Sequence, residues 1–145
     1  MNKLFYIFFV ISSSFLIFSC SDDDVVEMEV EYDYHAHIHS PNADTKAIGD
    51  TIHVHVEFES HSGETVEHVY VRIYNSADGV EIYNAPSDAK VNDESGAYEL
   101  HADVILSEAN GINSHTDWVV EAKVWGLEDG QGESIETVEF HVHPE

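Results

Sequence analysis

Strict alternation of apolar and polar residues, recurring along the chain with no helical period between, restricts this sequence to a sheet fold. From Tyr32, "YDYHAHI" sets Tyr32, Tyr34, Ala36 and Ile38 against Asp33, His35, His37 and His39. "TIHVHVEFE" sets Ile52, Val54, Val56 and Phe58 against His53, His55, Glu57 and Glu59. The same pattern runs through "EHVYVRIYN", "AYELHADVIL", "DWVVEAKVWG" and "TVEFHVHP". A period of two puts each set on its own face of a strand, and one apolar face per strand is the mark of an antiparallel sheet with one wet side.

Counting the short "GVEIYN", seven strands are predicted, over 30–39, 51–60, 66–76, 80–84, 96–106, 117–125 and 134–143. Segments rich in Gly, Asp and Asn separate them, and Asp78-Gly79 in "SADG" is a hairpin-turn signal. The fold class expected is all-β: a seven-stranded antiparallel sandwich of immunoglobulin or fibronectin-III type. The chain has a single Cys, so the cysteine pair of antibody domains is missing and the expectation rests on strand pattern.

The N-terminus carries different information. "MNK" supplies a positive charge, and Leu4–Phe18 is an apolar run broken by three serines. It is too short for a spanning helix and fits a secretory signal peptide. It ends in "IFSC", where Ile17, Ser19 and Cys20 resemble the lipobox of bacterial lipoproteins; Phe18 is bulkier than the usual residue there. The resemblance implies cleavage before Cys20 and acylation of Cys20, anchoring the chain in outer-membrane lipid with about 0.8 kcal/mol per buried CH₂. The following "SDDD" resembles the surface-export signal of Bacteroidota lipoproteins, which implies an outer-membrane protein facing the cell exterior. Without lipidation, Cys20 is a free thiol and the acidic run a solvated tether. "HTDWVVEAKVWG" and "VEFHVHP" are similar to stretches of small His-rich surface lipoproteins of Bacteroidota, and imply fold and location rather than an activity. The chain then divides into a signal peptide (1–19), a lipidated acidic linker (20–29) and a sandwich (30–145). An acylated Cys20 leaves no thiol, which excludes thiolate catalysis and Cys-ligated zinc.

Lys3 leaves with the signal peptide, so four basic side chains face 29 acidic ones, a net charge of −25. A nucleic-acid partner is excluded for want of a basic footprint. Cations are attracted instead.

Histidine is the unusual component: 11 of them against 5 Lys plus Arg. Residues i and i+2 of a strand share a face, about 6.6–6.8 Å apart. Two imidazoles at that spacing can converge on one ion, with bonds of about 2.0–2.1 Å. The chain has this His-x-His half-site at His35/His37, His37/His39, His53/His55 and His141/His143. In the expected sandwich the strands over 30–39, 51–60 and 96–106 lie side by side. Their polar faces combine His35, His37, His39, His53, His55 and His101 with carboxylates into a plate, with His141 and His143 at its edge. Imidazole suits zinc and copper(II), so these eight residues are the candidate metal ligands and zinc or copper the candidate ion, with an outer-membrane transporter or surface complex as a candidate recipient. The competing reading is a solvated, pH-responsive polar face. His61, His68 and His115 read as loop or rim residues. On this basis His37→Ala and His55→Ala should each weaken metal binding, and His115→Ala should not.

A second class of function stays open. Tyr70, Tyr74 and Trp125 fall on the predicted outer face of two strands, where aromatics stack on sugar rings or a partner protein; this would make the chain a non-catalytic immunoglobulin-like interaction module. Nothing in the sequence points to an enzyme: there is no nucleophile motif, no phosphate loop and no carboxylate pair at an informative spacing.

Overall fold

The computed structural model describes residues 31–145. The signal peptide, Cys20 and the linker over 20–29 lie outside the described residues. Nine strands follow one another: β1 (Tyr34–Ser40), β2 (Lys46–Ala47), β3 (Thr51–Ser60), β4 (Val66–Asn75), β5 (Glu81–Ala85), β6 (Lys90–Asp93), β7 (Ala97–Ile105), β8 (Thr116–Trp125) and β9 (Ser134–His143). The expected number, seven, is therefore corrected to nine. The two additions are the shortest elements, β2 with 2 residues and β6 with 4, too short for a period of two to register. No α-helix occurs among the described residues, and none of their helices is long and apolar enough to cross a membrane.

The strands form two sheets. One has the order β1-β3-β7; the other has the order β2-β9-β8-β4-β5, with β6 paired to β4. All pairings are antiparallel except β2 with β9, which is parallel. The expected adjacency of the strands over 30–39, 51–60 and 96–106 is found, as β1, β3 and β7.

The core lies between the sheets and is filled by the alternating apolar sets. Ile52, Val54, Val56 and Phe58 of β3 face Val69, Val71 and Ile73 of β4 and Trp118, Val120, Ala122 and Val124 of β8, all buried. Fully burying one such side chain contributes roughly 1.5–3 kcal/mol, so alternation is enforced wherever one face is dry. The β4–β5 hairpin turns where "SADG" predicts: Gly79 has φ 74°, and Asn75 Oδ1 accepts the Ala77 N–H at 2.9 Å. Edge strand β1 is tied to the other sheet by Glu136 of β9, whose Oε2 accepts the Ile38 N–H at 2.8 Å, satisfying a donor that an open edge would expose.

Candidate metal centre

Because the inward positions of β1, β3 and β7 are apolar, their outward positions are left to histidine and carboxylate. The register sets them in rows. His35 lies opposite Glu59 and His37 opposite Glu57; past a bulge between Ile38 and Ser40, Ser40 lies opposite His55. On the other side of β3, His53 lies opposite Asp103, His55 opposite His101 and Glu57 opposite Glu99. The bulge swings His39 toward His55. The result is a row of three imidazoles crossing the sheet, with ring centroids 4.7 Å apart for His39–His55 and 4.2 Å for His55–His101. His55, Glu99 and His101 each offer one ligand atom within 4.8 Å of the others.

A second group forms at the far end of the face. His61 sits in the turn after β3, pinned there by its N–H to Asp33 O at 2.8 Å. Its ring stacks on His35 at 4.2 Å, and one ligand atom from each of Asp33, His35 and His61 lies within 4.8 Å of the others. His61, a rim residue by sequence, is thus part of a candidate ligand group. Its position became visible only once β1 and β3 were paired.

Most imidazoles on this face already hold a carboxylate through Nε2. His37 donates to Glu59 at 3.0 Å, His39 to Glu57 at 3.1 Å, His35 to Asp33 at 3.1 Å, His61 to Glu59 at 3.0 Å and His101 to Glu99 at 3.2 Å. His53 pairs with Asp103 through Nδ1. Hydrogen bonds from His61 and then His37 hold the Glu59 carboxyl below its ordinary range. No side chain among the described residues hydrogen-bonds the His55 ring.

His141 and His143 are elsewhere. They lie on β9, in the other sheet, so their expected place at the edge of the plate is corrected. The C-terminal end of β9 is flanked by β2, and among the described residues β1 pairs only with β3. Their rings are 4.8 Å apart, and His115 joins them at 6.3 Å and 5.6 Å. One ligand atom from each of the three lies within 4.8 Å of the others. His141 Nδ1 donates to Asp117 Oδ1 at 2.6 Å. The expectation that His115 is an isolated loop residue is thereby corrected. The missed signal was the hairpin itself: Thr116 pairs with Val142, which brings the preceding His115 alongside His143.

Tyr70, Tyr74 and Trp125 are on the outer face of β4 and β8 as expected, but half-buried and engaged. The Arg72 guanidinium lies 4.5 Å from the Tyr74 ring centre and makes two bonds to Glu121 at 2.9 and 3.1 Å. Lys123 lies 4.8 Å over Trp125, which stacks on His68 at 5.3 Å.

No family model matches the chain, and no curated protein matches its sequence. Solved structures do. The CARDB domain of a Pyrococcus furiosus protein, determined in complex with di-metal ions, superposes with a TM-score of 0.52 at 14% identity, over 81% of this chain and 98% of that one. The solution structure of the same domain gives 0.53 at 14% identity, over 79% and 98%. At that identity the likeness is one of fold alone: residues 31–145 form a two-sheet, immunoglobulin-like β domain whose fold is similar to that of the CARDB domain.

Proposed function

We propose that this protein is a lipid-anchored surface protein that binds zinc or copper ions through imidazoles on the outer face of β1, β3 and β7. The observation that carries the reading is the His39–His55–His101 row, three imidazoles from three adjacent strands with Glu99 beside them. Two nitrogen donors and a carboxylate suit zinc and copper(II) better than hard cations. The groups are open and shallow, which favours buffering and transfer of ions over sequestration, with an outer-membrane transporter or surface complex as recipient. Location rests on the "IFSC" and "SDDD" resemblances and on the acidic balance, which draws cations to the surface. The di-metal ions of the CARDB neighbour belong to that protein; they add that a sandwich of this kind can carry metal.

The interaction-module reading ranks second. Its platform of Tyr70, Tyr74 and Trp125 is already stacked by the chain's own Arg72 and Lys123, so a sugar ring or partner would first have to displace them.

Zn²⁺ titration followed by NMR separates the two. The expected result is that the ring resonances of His55 and His101 shift at the lowest Zn²⁺ concentrations on this face. Shifts confined to backbone amides near loop carboxylates would contradict the assignment.

A further inference from the structure

On the plate, five imidazoles give Nε2 to a carboxylate, those of His35, His37, His39, His61 and His101. At the open end of the β8–β9 hairpin, His141 gives Nδ1 instead. Asp117 takes the Nδ1–H of His141, which fixes the tautomer and leaves Nε2 with a free lone pair pointing away from the carboxylate. A carboxylate behind a ligating imidazole orients the ring and raises its basicity. His141 can therefore bind an ion through Nε2 while keeping its hydrogen bond to Asp117.

His115 adds a second irregularity. Its backbone has φ 61°, a left-handed conformation that costs a side chain more than it costs glycine. The N–H of His115 is held by Val142 O at 2.7 Å, between the two outward histidines of β9. The chain thus places an imidazole where the backbone alone would favour Gly or Asn. The three rings offer nitrogen only. Tetrahedral zinc needs ligand atoms about 3.3 Å apart, and one ring nitrogen from each of the three lies within 4.8 Å of the others, so rotations about the side-chain bonds of the exposed His115 and His143 can close the set.

We propose that His115, His141 and His143 form a separate three-imidazole site for one zinc-class divalent ion, with Asp117 as its positioning residue and the fourth coordination position open to solvent. This deepens the metal-binding reading and rests on it, but places the transferable ion on the opposite sheet. An open position lets a donor from outside the chain, a water or a side chain of the recipient, bind before the ion is released.

Co²⁺ reports four-coordinate geometry by its strong visible absorption, and Zn²⁺ displaces it. The test titrates the mature chain, purified without a histidine tag, with Co²⁺ and then Zn²⁺. His115→Gly should lower the Co²⁺ stoichiometry by one ion and remove the share of the four-coordinate absorption that this site contributes, while leaving the unfolding transition unchanged or raised, since glycine is at ease at that φ. Asp117→Asn should keep the spectrum but weaken Co²⁺ binding by about 10–100-fold, a change that a purely structural role for Asp117 would not produce without altered unfolding. His68→Ala, at a residue in none of the groups of converging ligands, should leave the absorption intact. A stoichiometry and absorption undiminished in His115→Gly, or lowered equally in His68→Ala, overturns this site while the metal-binding reading stands. No saturable binding of either ion by the unaltered chain overturns both.

Discussion

Phe58→Ala should lower the unfolding free energy by about 3–5 kcal/mol, measured by urea denaturation. Phe58 is completely buried in the middle of the sandwich, packed 6.5 Å from the Tyr98 ring on the neighbouring strand. Alanine removes most of its apolar surface and leaves a cavity that two paired sheets cannot close. A domain of this size has roughly 5–15 kcal/mol to lose, so the loss is a large share of the total. His53→Ala, on the same strand but facing out with its side chain 75% exposed, should change stability by no more than about 0.5 kcal/mol. A similar cost at both positions would mean that β3 is not a half-buried strand.

His55→Ala should weaken Zn²⁺ binding by the outer face of β1, β3 and β7 by at least about tenfold, since loss of a ligand exceeds the effect of losing a residue behind one. The ring lies between His39 and His101, so its removal breaks the row at its centre. His37→Ala should do much less. Its Nε2 is committed to Glu59, and it belongs to neither group of converging ligands on that face. Calorimetric titration of the two variants beside the unaltered chain distinguishes them. Equal losses would show that His density, rather than the His55 row, determines affinity.

From sequence, His37 and His55 are equivalent, each being half of a His-x-His pair. What separates them is cross-strand register and the bulge between Ile38 and Ser40, and neither leaves a mark on the alternation. The strands themselves were legible because a dry face forbids polar residues at every second position; Ile52, Val54, Val56 and Phe58 are buried as the pattern requires. β2 and β6 were not legible, because each is held by pairing with a longer strand rather than by a face of its own. The outward position of Tyr70, Tyr74 and Trp125 was legible, but their cover by Arg72 and Lys123 was not, because it depends on which strands adjoin. His115 was hidden for a related reason. Its partners are on β9, and only the β8–β9 pairing brings them together.

The central claim, that imidazoles on this domain bind transition-metal ions, is tested most directly by calorimetric titration of the mature chain, free of any histidine tag, with Zn²⁺ and Cu²⁺ at pH 7.5 and again at pH 5.5. Protons compete with metal for imidazole nitrogen, while ordinary carboxylates, with pKa values of about 4, stay charged at both values. The account predicts saturable binding of micromolar affinity or tighter at pH 7.5 that fades at pH 5.5. Weak binding, unsaturated and the same at both pH values, would contradict it and assign the ions to the acidic surface.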